Sequence, residues 1–333
     1  MLTRTELAAI PGARKTKEPT HVAPQLATLV KTPPAGAAWL HEVKFDGYRM
    51  ICRISRGRST FLSRNGKDWT KKVPNLAKAA TSLKVSTAIL DGEVVAVDKE
   101  GRSNFQKLQR SMGRNATTSF AYEVFDLVYL NGFDLTQVPL ATRKALLAQV
   151  LSASSRSLRY SDHLQGHGDK FFTHACKHRL EGIVSKLANS RYQAGRTRSW
   201  LKTKCVHEQE FVIIGFTASS RLPGFGSLAL GVYDKNKFTY AGHVGTGFTL
   251  AQRRSLRLKL DKLKRLTSPL KEIPSSLKHT KWVKPVLAAQ VAFTEWTSDG
   301  SIRHPSFKGL REDKNPKEIK RERPIKTPKT KRS

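Results

Sequence analysis

The chain has 333 residues, of which 38% are hydrophobic, and its 60 lysines and arginines against 26 aspartates and glutamates leave a net charge of +34. The hydrophobic content is sufficient for folded cores, but no apolar stretch approaches the length of a membrane-spanning helix. Such an excess of positive charge repels itself and predicts a polyanionic partner. Nucleic acid is favoured over an anionic membrane, because no amphipathic anchor accompanies the charge.

The three cysteines, Cys52, Cys176 and Cys205, form no CxxC pair and no Cys/His cluster at metal-ligand spacing. This spacing argues against a disulfide framework and against a zinc site, and it favours a reducing compartment. The N-terminal residues lack the charged-then-apolar pattern of a secretory signal. We therefore expect a cytoplasmic protein.

Residues 1–21 are a predicted N-terminal lead-in, and from Ala38 to Lys204 strand-like runs alternate with helical ones. The predicted strands are rich in Val, Ile, Phe and Tyr. They are Met50–Ile54, Ser59–Ser63, Thr87–Val97 and Ser119–Tyr129. The predicted helices are Leu140–Leu151 and Phe171–Arg179. Because many strands are joined by short turns, residues 22–204 predict an α+β domain of largely antiparallel character.

A second unit is predicted for residues 210–315, where short strands surround one helix, Leu250–Leu266, with leucines at helical spacing. Its predicted strands are Phe211–Phe216, Leu228–Tyr233, Phe238–His243 and Val291–Trp296. This arrangement suits a small five-stranded barrel of the OB type. Residues 316–333 are strongly basic and almost without apolar residues, so they predict a disordered tail that either holds a polyanion or is solvated.

Residues 44–49 read Lys-Phe-Asp-Gly-Tyr-Arg. A lysine just before an Asp-Gly turn can place its amine at the mouth of a pocket, with Asp46 and Arg49 close to the same spot. A lysine nucleophile needs such surroundings, because its ordinary pKa of about 10.4 leaves it almost fully charged at neutral pH. The alternative for so short a motif is a surface turn with a solvated Lys44.

Further segments contain residue types that nucleotidyl chemistry needs. They are Ser63–Gly66, Asp91–Glu93, Phe125–Leu127, Glu181–Lys186 and Trp200–Lys204. Each has an ordinary interpretation when taken alone: Phe125 as a core aromatic, Glu93 as a surface carboxylate, and Lys202 and Lys204 as the polar face of an edge strand. Their joint occurrence in this order favours a functional site.

In this order the segments resemble the motifs of the ATP-dependent DNA ligases of the covalent nucleotidyltransferase superfamily. Residues 44–49 are similar to that family's nucleophile motif, and residues 296–314 resemble the motif at the end of its OB domain. Stretches similar to the ligase domain of bacterial non-homologous end-joining ligases are Glu42–Tyr48, Ser63–Thr70, Tyr122–Gly132 and His304–Lys314. The polymerase and phosphoesterase domains of the multi-activity members do not fit within 333 residues.

The resemblance implies a nucleotidyltransferase (ATP-grasp-like ligase) domain of antiparallel sheets with flanking helices, followed by an OB-fold β-barrel. It also implies a DNA ligase that works through a lysyl-AMP and a DNA-adenylate, with Lys44 as the nucleophile. The implied ATP-binding residues are Glu42, Arg49, Arg64, Glu93, Phe125, Val184, Lys186, Lys202 and Lys204. Of these, Phe125 and Val184 would sandwich the adenine, with Glu42 at its edge.

Asp46 and Glu181 are implied ligands of a divalent metal, Mg or Mn. We expect Lys186, Lys202 and Lys204 to lower the pKa of Lys44 by like-charge repulsion.

The resemblance gives Arg303, Asp313 and Lys314 a role over the pyrophosphate when the second domain closes, which requires a flexible joint at Cys205–Gln209. A purely structural end of the barrel is the alternative for these residues. The Arg-Glu-Asp-Lys run just before the tail favours the functional interpretation.

The implied partner of a monomeric enzyme is nicked or broken duplex DNA in the nucleoid, contacted mainly at its phosphates. A Ku-like end-binding protein is a further expected partner, and a membrane is not. Basic residues around the 250–266 helix are either a DNA-facing surface or a solvated face; they are Arg253, Arg254, Arg257, Lys259, Lys262, Lys264 and Arg265. The alternative functions are an RNA end-sealing or capping-type nucleotidyltransferase and a non-catalytic DNA-binding module.

Overall fold

The computed structural model describes residues 3–96, 105–112, 120–152, 154–219 and 221–328. The chain divides into two units, one formed by Met1–Cys205 together with Pro324–Ser333 and the other by Val206–Arg323. No helix in the described ranges is long and apolar enough to cross a membrane.

The first unit contains two sheets and five α-helices among its described residues. Its strands are β1 (Arg14–Lys15), β2 (Gln25–Leu29), β3 (Trp39–Val43), β4 (Tyr48–Ser55), β5 (Arg58–Ser63), β6 (Thr87–Ala96), β7 (Phe120–Leu130), β8 (Phe133–Asp134), β9 (Leu158–Tyr160), β10 (Leu164–Gln165), β11 (Gly182–Leu187) and β12 (Gly195–Lys204). Its helices are α1 (Arg4–Ala8), α2 (Pro74–Thr81), α3 (Phe105–Ser111), α4 (Leu140–Leu151) and α5 (Gly168–Lys177).

A seven-stranded sheet runs in the order β1-β8-β7-β6-β4-β5, with β9 paired to β7. Successive side chains of its strands enter two different apolar clusters, one on each face of the sheet. On β4, Tyr48, Met50 and Cys52 enter a large core that includes residues of α1, α2, α3 and α4. Ile51 lies on the other face, in a smaller cluster that also contains Phe125 of β7 and Trp200 of β12.

A five-stranded sheet runs in the order β10-β3-β11-β12-β2. β3 and β11 pair antiparallel with Glu42 opposite Val184, and β11 and β12 pair with Val184 opposite Lys202. These three central strands therefore carry several of the predicted site residues side by side.

The predicted α+β class and antiparallel character of this unit are confirmed, since only β7 with β9 and β12 with β2 pair in parallel among the named strands of the described ranges. The strands predicted from Thr87 and Ser119 correspond to β6 and β7, but the predicted ends Val97 and Ser119 lie outside the described residues. The second predicted helix begins earlier, at Gly168, and ends at Lys177.

The second unit is built on one sheet in the order β15-β14-β13-β16-β17. Its elements are β13 (His207–Phe216), β14 (Leu228–Asp234), β15 (Lys237–Val244), α6 (Leu250–Asp261), β16 (Lys281–Phe293) and β17 (Ser306–Leu310). A small five-stranded barrel was expected from the sequence; the structure has five antiparallel strands, but the described residues do not form a closed barrel. A single bridge between Thr246 and Ser306 links the two ends of the strand order.

Two predicted connections differ from the structure. β13 begins at His207, so only Cys205 and Val206 separate it from β12, and the joint predicted for Cys205–Gln209 is shorter than expected. Residues 316–328 of the predicted tail make defined contacts: Ile319 is buried in the core of the second unit, and Ile325 pairs with Val30 in the first. The sparse apolar residues of this segment are therefore used as anchors, and residues 329–333 lie outside the described ranges.

Cys176 and Cys205 form a disulfide, although their spacing argued against a disulfide framework. The cysteines are separated by 29 positions and come together because the last turn of α5 lies beside the end of β12. Sequence spacing alone could not reveal this proximity. Cys52 is buried and unpaired.

Candidate active site

Lys44 directly follows β3 and is fixed by the strand next to it. Its backbone N–H donates to the carbonyl of Gly182, at 2.9 Å, and its Nζ lies 2.5 Å from Oε1 of Glu181. Gly47 is required three positions further on, since a Cβ there would lie 2.2 Å from the carbonyl oxygen of Val94. The Asp-Gly pair of the motif thus lets the chain pass closely against β6.

The nearest charges around Lys44 are negative. Burial alone would lower the pKa of Lys44, but the Glu181 carboxylate, followed by Asp46 and Glu93, raises it above the ordinary value. The predicted lowering of this pKa by neighbouring lysines is therefore wrong for the structure. In this state the amine is held as an ammonium.

Lys186 interacts with Glu42 and with two aromatic rings. Its Nζ lies 2.9 Å from Oε2 of Glu42, 4.3 Å from the ring centre of Phe125 and 4.2 Å from that of Trp200. Burial lowers the pKa of Lys186 to about 8, although Glu42 acts in the opposite direction. Lys186 thus lies against the residues predicted to surround the adenine.

Lys144 of α4 is a site residue that the sequence analysis missed. Its fully buried Nζ donates to Oε1 of Glu42 at 2.9 Å and to the carbonyl of Ser161 at 2.7 Å. The hydroxyl of Ser161 donates to the other oxygen of Glu42, at 2.9 Å. A signal was present, because Lys144 occupies an apolar-stripe position between Leu140 and Leu147.

Glu42 therefore shares one carboxylate between two buried ammonium groups. Burial would raise the pKa of Glu42, but Lys144 and Lys186 together lower it. The carboxylate is held in place by three donors, counting Ser161. A group fixed in this way can present a defined edge to a planar base.

Arg49 is also held in place by a buried carboxylate. Its guanidinium makes two hydrogen bonds to the buried carboxylate of Asp91, at 2.5 and 2.6 Å, and lies 4.4 Å from the ring centre of Phe125. Asp91 additionally accepts from Tyr192 Oη at 2.6 Å. The Asp91–Glu93 segment lies inside β6, as the predicted strand Thr87–Val97 implies, and Glu93 is opposite Arg49 in the strand register.

The remaining predicted residues of the first unit follow their expected local pattern. On β12, Leu201 and Thr203 are buried while Lys202 and Lys204 are partly exposed, as the predicted alternation requires. Arg64 is partly exposed in the turn that follows β5. The structure brings Glu42, Val184, Lys186 and Lys202 together through strand register, while Phe125 joins them from the other sheet through Lys186.

Glu181 offers a test of whether the predicted metal fits. Its Oε2 is buried and has no hydrogen-bond partner within the described part of the chain, while Oε1 pairs with Lys44. Asp46 and Glu181 both act on the Lys44 amine, and an orphaned carboxylate oxygen suits a hard divalent cation. Among the described residues, no three His, Cys, Asp or Glu side chains are grouped so that they could hold a metal ion.

In the second unit, Asp313 holds the side chain of Arg311. It is fully buried and accepts two hydrogen bonds of 2.8 Å from Arg311, the first residue of the Arg-Glu-Asp-Lys run, to which the sequence analysis gave no role of its own. Lys314 pairs with Glu210 at 3.0 Å, and Arg303 pairs with Glu295 at 2.7 Å. Asp313 thus orients a guanidinium instead of facing solvent itself.

Two members of the basic set on α6 have structural partners. Arg253 is buried and donates to the carbonyls of Phe225, Gly226 and Gly245. Arg257 donates to the Asp261 carboxylate. The DNA-facing alternative therefore does not apply to Arg253.

Comparison with known proteins identifies the family. The description "ATP dependent DNA ligase domain" matches residues 23–204, and "ATP dependent DNA ligase C terminal region" matches residues 221–314. The multifunctional non-homologous end joining protein LigD of Pseudomonas aeruginosa is 39% identical over 98% of this chain and 41% of its own length. The DNA ligase-like protein LigB of a Bacillus subtilis prophage is 27% identical over 87% of this chain and 99% of its own length.

Solved structures agree with this comparison. The mycobacterial DNA ligase D complexed with ATP and MES is 34% identical, has a TM-score of 0.67, and is matched over 90% of this chain and 98% of that one. The ligase domain of Mycobacterium tuberculosis LigD is 35% identical, with a TM-score of 0.51 and the same coverage. This chain spans about two fifths of the length of its LigD relatives, 41% for that of P. aeruginosa. The matches over both units show that the chain belongs to the ATP-dependent DNA ligase family.

Proposed function

We propose that this chain is an ATP-dependent DNA ligase that uses Lys44 as its nucleophile. The supporting observation is the position of Lys44, fixed by a backbone hydrogen bond to Gly182 beside the strands that carry Glu42 and Lys186. ATP is the nucleotide bound in the mycobacterial relative at 34% identity.

In the first step Lys44 Nζ attacks the α-phosphorus of ATP. The nitrogen–phosphorus bond forms while the bond from that phosphorus to the bridging oxygen breaks, and pyrophosphate leaves. Nζ must first lose a proton, and the nearest acceptor is Oε1 of Glu181, at 2.5 Å. Glu42, held by Lys144 and Ser161, meets the edge of the adenine, with Phe125 and Val184 on its faces.

Asp46 and Glu181 would hold a divalent metal in this proposal, and the metal would supply positive charge to the triphosphate and its leaving group. Arg49 and Glu93 serve the ribose, and Arg64, Lys202 and Lys204 serve the phosphates. Arg303, Lys314 and the Arg311 guanidinium fixed by Asp313 act on the pyrophosphate when the second unit closes.

The AMP then passes to a 5′-phosphate at a break, and a 3′-hydroxyl displaces it to seal the strand. The LigD relatives are described as multifunctional non-homologous end joining proteins. We infer the same role for this chain: it joins broken duplex ends in the nucleoid, assisted by a Ku-like end-binding protein. A sealing assay on duplexes with separated ends, with and without such a protein, tests this role.

The experiment for the proposed function uses labelled ATP with Mg²⁺ or Mn²⁺. We expect the wild-type chain to form a covalent protein–AMP adduct that nicked DNA discharges, and Lys44→Ala to form none. Exposed Lys71→Ala is the matched control and should label normally. Labelling of Lys44→Ala would falsify the assignment of the nucleophile, and transfer of the AMP to RNA ends or GTP use would favour the RNA-sealing or capping alternative.

A further inference from the structure

The hairpin between β4 and β5 has an arginine where its turn favours a different residue. Its two turn residues, Arg56 and Gly57, have φ values of +51° and +70°. Two positive φ angles belong to a type I′ turn, in which Asn-Gly is the preferred pair. An arginine in the left-handed region costs about 1 kcal/mol. The backbone of this turn is therefore strained at Arg56, and the Arg56 guanidinium lies at the tip of the hairpin.

Strand register places two further arginines on one face of this hairpin. Ser55 of β4 is opposite Arg58 of β5, and Arg53 is opposite Thr60. Side chains alternate along a strand, so these residues share a face with Arg49, and the opposite face enters the large core through residues such as Met50. At about 3.3 Å per residue, the hairpin tip lies roughly 20 Å along β4 from Arg49.

The surface at this end of the hairpin is concave and lined by polar residue types. A depression of about 660 Å³ is lined by Glu18, Arg53, Ser55, Arg56, Arg58 and Thr60. Glu18 neutralises Arg53 through contacts of 3.1 and 2.8 Å. The side chains of Arg56 and Arg58 are exposed and make no ion pair or hydrogen bond with any other residue that the structure describes. Two guanidinium groups that have no partner among the described residues thus face solvent.

We propose that Arg56 and Arg58 bind phosphates of the DNA duplex at a distance from the reacting nick. This inference rests on the proposed function and extends its substrate contacts along β4 and β5. DNA matches the surface better than an acidic protein does, because none of the residues that line the depression is an aromatic or aliphatic one of the kind that a protein interface buries. A single nucleotide at Arg49 does not reach the tip, whereas a duplex with a rise of about 3.4 Å per base pair reaches it in roughly six base pairs.

The test compares Arg56→Ala/Arg58→Ala with Lys78→Ala/Lys84→Ala, which removes the same charge. Both control lysines are exposed on or just after α2, which packs on the opposite, core-covered face of the same sheet. Binding of a nicked duplex is measured across a salt series. The arginine variant should reduce the slope of log K against log[salt] by about 2, and weaken binding at 0.1 M salt by about tenfold or more. The control should match the wild type.

A duplex-length series adds a geometric readout. Shortening one arm below about six base pairs should weaken wild-type binding but leave the arginine variant unchanged. Self-adenylation, which involves no DNA, should be equal in all three proteins. A salt slope equal to that of the control, or the same length dependence in variant and wild type, overturns this inference. Loss of adenylation by the wild type would instead contradict the proposed function.

Discussion

Glu42 illustrates how the site is organised at the scale of single residues. One carboxylate cannot neutralise two ammonium groups, so the buried cluster with Lys144 and Lys186 carries a residual positive charge. A buried charge without full compensation is costly, and this explains why the pKa of Lys186 is lowered to about 8. The cluster lies against Phe125, where an aromatic face compensates part of the charge.

His41, the neighbour of Glu42 on β3, gives a prediction of pH dependence. It is buried with Nδ1 2.8 Å from Ser185 Oγ, and burial lowers its pKa from 6.5 to about 4, although Asp169 opposes the shift. Between these values the unfolded chain binds more protons than the folded one. Stability should therefore fall as the pH falls from 6.5 to 4, by about 3 kcal/mol in total.

Urea unfolding of the first unit between pH 7 and pH 4 measures this effect. We expect His41→Gln to flatten the pH dependence, and exposed His279→Gln to leave it as in the wild type. If the free energy of unfolding changes with pH equally in His41→Gln and in the wild type, His41 is not the group responsible.

The sequence predicted which residue types the site contains better than it predicted their partners. The lysine motif and the alternation of Lys202 and Lys204 could be read locally, because a turn and a strand period are local properties. The pairing of Lys44 with Glu181 depends on residues 137 positions apart meeting across neighbouring strands. Lys144 comes from a helix outside every motif, so its contact with Glu42 was not predictable from the motifs.

At the scale of elements, α6 shows how tertiary contacts override a helical pattern. Leucine spacing predicted a helix to Leu266, yet α6 ends at Asp261. Beyond it, the Arg265 N–H donates to the carbonyl of Trp282, and the Lys284 N–H donates to that of Leu263. Backbone pairing with β16 therefore replaces the last predicted turns, and Leu266 is left fully exposed.

The disulfide between α5 and the end of β12 gives a prediction at the same scale. A cross-link over 29 residues restricts the unfolded chain, which corresponds to about 3–4 kcal/mol of stability. Reduction should lower the free energy of unfolding of the first unit by that order, as measured by urea denaturation with and without a dithiol.

Two variants separate this effect from other consequences of reduction. Cys176→Ser/Cys205→Ser should show the lower stability in both conditions, while Cys52→Ala should retain the full response to the dithiol. No response in the wild type would show that the cross-link does not stabilise this unit.

At the scale of the whole molecule, the C-terminal segment belongs to both units. Ile319 is buried in the second unit, and the Ile325 N–H donates to the carbonyl of Leu29 in the first, at 3.0 Å. The Ile325 side chain packs against a cluster that contains Val30 and Leu201. Composition alone predicted disorder here, because two isoleucines in a basic segment do not indicate which surfaces they meet.

Ile325→Ala tests the anchor in the first unit. We expect it to lower the free energy of unfolding of that unit by about 1 kcal/mol, because part of an apolar side chain is no longer buried. Exposed Lys326→Ala, its neighbour, should change little. If the two variants are equally stable, the segment is not anchored through Ile325.

The chain leaves the first unit after Cys205 and returns to it at Pro324, so the second unit is an insertion fastened at both ends. The backbone therefore connects the two units twice, once between Cys205 and Val206 and once between Arg323 and Pro324. Cutting the backbone between Arg323 and Pro324 would leave a single covalent connection.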